Sequence, residues 1–318
     1  MTVRTVLGDI PPADLGTTYL HEHLIIDSPF VASRLPHIHL PDPDEAVAEL
    51  ALCQAAGVGA MVDAMPSASG RDVARLAEVS QRSGVHVVAS TGLHTEKYYP
   101  GHQWAVEPSV DTLTRLFTSE IQTGIERFGP TGPAIEHTTY RAGIIKVATG
   151  GATLTDRDRK LFEAAAAAHQ VTGAPILTHC EEGEGAPGQV DLLHRLGVPL
   201  SRVVLSHTDK ITDPGLHAEL LSAGVNLEYD QALRQAGDEE PVTARLLAAM
   251  IEAGYLGQLM LGTDGARRSL WASLGGGPGL AWLVTGFTEV LASHGIDAAH
   301  RRELFVANPA NFLSFGAQ

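Results

Sequence analysis

The stretch AGIIKVATGGATLTDRDRKLFEAAAAAHQVTGAPILTHC, residues 142–180, reads as strand, helix, strand. Residues 142–149 and 174–180 are short apolar runs rich in Ile, Val and Ala that end on Thr or Cys. Runs of this length without polar alternation suit strands buried on both faces. Between them, residues 156–173 open on Asp156 and Asp158, space their apolar residues for a helix and stop at Gly173. Similar runs occur at TYLHEHLII (17–25), VGAMVDAM (58–65), VHVVAST (85–91), RVVLSHT (202–208), VNLEYD (225–230) and QLMLGTD (258–264), making eight in all. Helix-compatible stretches such as DEAVAELALCQAAG (44–57) follow them. Eight strand-then-helix repeats with no break in composition predict one domain over 1–318, an α/β protein built as a (β/α)8 TIM barrel. The long connections 92–110 and 265–280 are expected to be active-site loops.

Composition narrows the function. The chain carries 37 acidic and 22 basic side chains, a net charge of −15. That balance argues against nucleic acid or an anionic membrane as partner, since both need a basic patch. Cys53 and Cys180 are the only cysteines, too few for a disulfide framework or a Cys-rich zinc site. No run approaches the ~18 apolar residues of a spanning helix, and the start MTVRTVLGDIPPADLG has no apolar signal core. A soluble, cytoplasmic protein is the expectation. The 15 histidines contrast with four lysines, at 97, 146, 160 and 210.

The positions of those residues carry the chemistry. Residues i and i+2 of a strand share a side, so His21 and His23 in YLHEHLII point together and Glu22 points away. His179 ends APILTHC, His207 ends RVVLSHT and Asp264 ends QLMLGTD, all at the carboxyl ends of strands, where barrel enzymes build their sites. Lys146 lies inside the apolar strand GIIKVAT. A buried ammonium there is costly, so its pKa should fall and the neutral amine becomes available. Its carbamate, formed with CO2, would offer two anionic oxygens able to bridge two metals. Four imidazoles, one carboxylate and one carbamate form a nitrogen and oxygen set suited to Zn, Mn, Co or Fe. His37 and His39 share the His-x-His spacing but sit between Pro36 and Pro41, where no strand fixes their direction, and are not expected to be ligands.

With HEH on strand one, Lys on strand four, His on strands five and six and Asp on strand eight, the chain resembles the phosphotriesterase-like branch of the amidohydrolase superfamily. The resemblance covers almost the whole chain, including a short N-terminal β-hairpin before the first histidines. It implies two divalent ions, zinc foremost. His21, His23 and Asp264 would hold one and His179 and His207 the other, with N6-carboxylated Lys146 and a hydroxide bridging them. It also implies a homodimer and a catalytic role for Asp264 as proton shuttle. The loops GLHxxxYYP and DGARRSLW…GGGPGL look most like members that hydrolyse phosphorylated furanose lactones, in which a loop-three Tyr and a loop-eight Arg hold the phosphate. That suggests Tyr98 or Tyr99 and Arg268 as substrate-binding residues, with Arg234 the nearest basic residue on loop seven. The proton relay of true phosphotriesterases is not reproduced: the corresponding positions read Asp209-Lys210 and Glu228-Tyr229-Asp230. The expected activity is therefore metal-dependent hydrolysis of a small-molecule lactone or ester, with weak phosphotriester cleavage as a side activity. The alternatives are an amidase of the same superfamily and a metal-containing binding protein without turnover.

Overall fold

The computed structural model describes residues 1–127 and 135–315. Eight parallel strands pair in sequence order: β3 (Thr17–Glu22), β4 (Val58–Asp63), β5 (His86–Gly92), β6 (Ile144–Thr149), β7 (Ile176–Cys180), β8 (Val203–Ser206), β9 (Asn226–Tyr229) and β10 (Leu259–Leu261). The last meets the first: the amides of Thr263 and Asp264 donate to the carbonyl of His21 at 3.2 and 3.0 Å, closing a (β/α)8 barrel. Seven of the strands fall within their predicted runs, and β5 extends one residue past its run, to Gly92. The expected hairpin is β1 (Thr2–Thr5) against β2 (Gly8–Ile10), and β11 (Ser314–Phe315) adds to its other edge.

The helices start and stop where the sequence chemistry says. Asp42 caps the helix Pro43–Ala55 by accepting from the Asp44 amide, with Pro43 in the first turn. Thr155 and Asp158 form a capping box on Asp156–Thr172, and Gly173 ends that helix in the left-handed region.

Two apolar layers hold the barrel. Outside, alternate strand residues such as Tyr19, Ile145, Ile176 and Leu205 pack against helices. Inside, Leu20, Val62, Val88, Ile144, Leu177, Val204 and Met260 fill the lower half of the barrel. Val3, Leu15, Phe312 and Leu313 complete that cluster, so the terminal sheet and the helix Asn308–Leu313 close the end at which the strands begin. The Val6 amide fixes this plug by donating to Val87 near the start of β5, at 2.8 Å.

Candidate active site

Polar side chains replace the apolar filling one or two residues further along the same strands. On β6 and β7, simple alternation suffices: Ile144 and Leu177 face inward, and so do Lys146 and His179 two residues later. On β3 it does not. The step from Tyr19 to Glu22 is matched to the shorter step from Met61 to Asp63, a bulge of one residue. It allows Leu20 and His21, adjacent in sequence, both to point inward. Glu22 then turns away, its carboxylate accepting from the Thr263 amide at 2.8 Å. His207 and Asp264 lie just past their strands with φ of 62° and 44°, left-handed conformations that cost a non-glycine residue about 1–3 kcal/mol. Left to alternation, Ser206 would hold the inward position. It does, and its hydroxyl lies 3.0 Å from His21 Nδ1.

The six expected residues come together. Lys146 Nζ is 3.2 Å from His21 Nε2, and Asp264 Oδ1 is 3.4 Å from His23 Nε2 and 4.0 Å from His21 Nε2. His207 Nε2 and His179 Nδ1 are 2.8 Å apart. Their other nitrogens face carboxylates: His207 Nδ1 lies 2.7 Å from Asp230 Oδ2, and His179 Nε2 lies 2.7 Å from Glu181 Oε2. His207 Nδ1 makes no hydrogen bond at that approach, but a neutral imidazole has one N–H and one lone pair, so with the N–H of each ring on its carboxylate side two lone pairs face each other. Such a pair calls for a cation or a proton between them. On the other side of the cluster, His23 Nδ1 is buried without a hydrogen-bond partner. The donor set and its outer carboxylates therefore fit divalent ions. His21, His23 and Asp264 form one group close enough to ligate an ion.

Electrostatics keep the cluster in ligand form. Burial lowers the pKa of Lys146 to about 8. Burial, with Lys146 next, holds His21 well below the ordinary histidine value, and burial plus His207 brings His179 down to about 3. Burial works to raise Asp264, but the hydrogen bond from His23 and the charges of His207 and Arg234 hold it well below the usual carboxylate range. The Arg234 guanidinium donates to Asp264 Oδ2 at 2.9 Å and to the carbonyls of Asp264 and Thr263 at 2.8 and 2.9 Å. Beneath the cluster, Glu228 is fully buried, and burial followed by the charge of Asp230 raises its pKa well above normal.

A cavity of about 280 Å³ opens above these groups, lined by His23, His179, His207 and Asp264 at its floor and by loop residues on its walls. Here the structure departs from expectation at two residues. Tyr98 lines the cavity, but Tyr99 is buried beneath loop three, where its hydroxyl donates to the Ser67 carbonyl and accepts the His94 amide. Arg268 points away and forms a two-pronged pair with Glu45, 2.8 and 3.0 Å, because Glu45 in the first turn of the Pro43–Ala55 helix stands opposite it. Its neighbour Arg267 faces the cavity instead. His37 reaches the rim, whereas His39 pairs with Asp27 at 3.0 Å, and neither joins the ligand cluster. The amides of Gly276 and Gly277 donate back to Trp271 and Ser269, which makes GGGPG a turn of its own loop.

Spacing does not single out Ser206 or Glu181, which are visible only through their contacts. Asp230 ends its strand as Asp264 does and carries the same signal, and His94 belongs to loop three, an expected active-site loop.

The sequence profile described as the Phosphotriesterase family matches residues 1–313. A phospho-furanose lactonase of Mycoplasmopsis synoviae is 28% identical, over 98% of this chain and 91% of its own. A phosphotriesterase homology protein of Mycobacterium tuberculosis is 32% identical, over 82% of this chain and 80% of its own. Among solved structures, a lactonase of Listeria monocytogenes superposes with a TM-score of 0.90 at 26% identity, covering 99% of this chain and all of the other.

Proposed function

The chain belongs to the phosphotriesterase family, a group of metal-dependent ester hydrolases, and on that premise we propose that it is a binuclear lactonase acting on phosphorylated furanose lactones. The observation that carries this reading is one cavity with two chemistries: a floor of imidazoles and Asp264, and a rim carrying His37, Lys210 and Arg267. The side chains of these three rim residues have no hydrogen-bond or ion-pair partner among the described residues, which leaves them available to an anionic substrate group. The lactonase relatives support the substrate class.

His21, His23 and Asp264 would hold one divalent ion and His179 and His207 the other, with a carboxylated Lys146 between them; zinc suits this donor set, as do Mn, Co and Fe. Such ions supply Lewis acidity and a water ionised near neutral pH. Lys146 reacts as its free amine: nitrogen bonds to the carbon of CO2 and gives up a proton, and burial makes that amine accessible near pH 8. Asp264 accepts the proton of the attacking water and returns it to the alkoxide released by ring opening. Arg234 holds Asp264 Oδ2, which leaves Oδ1 facing His21 and His23. Arg267 and Lys210 bind the remote phosphate, and Tyr98 lines the same cavity. A pH-indicator assay of Zn- or Mn-loaded protein on phosphorylated and plain sugar lactones tests the reading. Faster turnover of the phosphorylated members is expected, and no ring opening of any lactone would refute it.

A further inference from the structure

Loop three supplies a histidine that neither the ligand set nor the anion rim uses. His94 lies just beyond β5, is only 5% exposed and lines the cavity floor beside His179, with ring centroids 4.8 Å apart. Its other face rests on Tyr98, 4.1 Å away. The residue is held at three points, its backbone amide, its carbonyl and its ring Nδ1. The His94 amide donates to Tyr99 Oη at 2.8 Å, the His94 carbonyl accepts from Arg157 Nη2 at 2.9 Å, and Nδ1 accepts the Thr95 amide at 2.7 Å. Tyr99 is itself tied to the Ser67 carbonyl, and Arg157 to that of Ala105.

The third contact decides the chemistry. A backbone N–H can only donate, so Nδ1 must present its lone pair, and a neutral imidazole then carries its proton on Nε2. Nε2–H is the ring atom left over, in a side chain that lines the cavity. We propose that His94 is a substrate-contacting residue whose Nε2–H donates a hydrogen bond to an oxygen of the bound lactone. The proposal rests on the lactonase reading above and adds a donor to it. A donor fixed in place by the fold costs no reorganisation when charge develops on the substrate oxygen, and removing one such donor typically lowers turnover by about 10²–10³. Tyr99, behind His94, acts as its support.

The test uses ribonolactone 5-phosphate on metal-loaded wild type, His94→Phe and His94→Gln, with metal content and melting temperature measured in parallel. His94→Phe keeps a planar ring and removes the donor. It is expected to lose about 10²-fold in kcat/KM while keeping its metal and its stability. His94→Gln restores an N–H and should recover about tenfold of that loss. Should the phenylalanine variant fail to fold, His94→Ala with imidazole added back replaces it, and partial rescue is expected. A variant within about twofold of wild type would overturn the proposal. So would loss of metal from His94→Phe, which would make His94 a brace for His179. A wild type that opens neither ribonolactone 5-phosphate nor any other lactone refutes the lactonase reading itself, before any variant is compared.

Discussion

The two ends of the barrel obey different rules. At the end where the strands begin, the interior is hydrocarbon: Val62, Val88, Ile144, Leu177, Val204 and Met260 meet across the axis. At the end where they finish, alternation is broken three times, by the bulge after Tyr19 and by left-handed backbone at His207 and Asp264, and the interior is polar. The lower half gains from apolar burial, about 25 cal/mol for each Å² removed from water, while the upper half buries histidines, a lysine and several carboxylates at a cost. The same strands serve both ends, so the apolar half underwrites the strain and desolvation of the polar half. Sites on α/β barrels are expected to look like this, since function is concentrated where local rules are violated.

Substitutions can break that contrast at either end. The largest effect is expected at Asp264. Asp264→Asn keeps the size and removes the proton acceptor, so turnover should fall by about 10²–10⁴ while the melting temperature barely moves. A mutant with near wild-type turnover would show that the proton goes elsewhere. At the lower end, Leu177→Ala, two residues before His179 on the same strand, should cost about 2–5 kcal/mol of stability in a denaturant titration. The folded fraction should still turn over within a few fold of wild type. A collapse of turnover in fully folded protein would mean the two halves are not separable.

Lys146 tests the cost of the polar end directly. The unfolded lysine keeps its proton up to a pH near its ordinary value of 10.5, whereas burial lets the folded one hold it only up to about 8. In metal-free, CO2-free protein, stability is therefore lost as pH falls from the first value through the second. Near pH 7 the penalty is on the order of 3 kcal/mol, taking about 1.36 kcal/mol per unit. Apo Lys146→Met should accordingly melt above apo wild type at pH 7, with the gap closing as pH rises toward 10, and an unchanged gap across that range would contradict the buried-ammonium account. The smallest effects separate two adjacent arginines. Arg267→Ala should lower kcat/KM for phosphorylated lactones by roughly 10- to 150-fold and leave neutral ones nearly unchanged, given about 1.5–3 kcal/mol for a charge-assisted contact. Arg268→Ala, which removes only the partly exposed pair with Glu45, should cost less than about 1 kcal/mol of stability and show no preference between substrates.

The fold was legible because its signal is repeated. Eight apolar runs of similar length, six of them with a Thr, Asp or Cys at the end, survive local ambiguity in any one of them. The six residues that converge were legible for a related reason: each is a polar residue within or at the end of an apolar run, a place where burial is expensive. What spacing missed depends on direction. Arg267 and Arg268 are neighbours of the same type, and only Glu45, more than two hundred positions away, decides which of them is captured. Tyr98 and Tyr99 divide in the same way, one toward the cavity and one into the hydrogen-bond chain that ends on Ser67. The bulge in β3 is likewise invisible in sequence, because His21 and His23 keep their relative spacing while their phase with respect to Leu20 changes.

Elemental analysis of protein grown with ample divalent metal, with lactone hydrolysis followed before and after chelation, measures the central claim. Six converging ligands overfill a single tetrahedral site, so about two ions per chain are expected, with hydrolysis abolished by the chelator and restored on reloading. One ion or none per chain, together with lactone hydrolysis indifferent to the chelator, would contradict it.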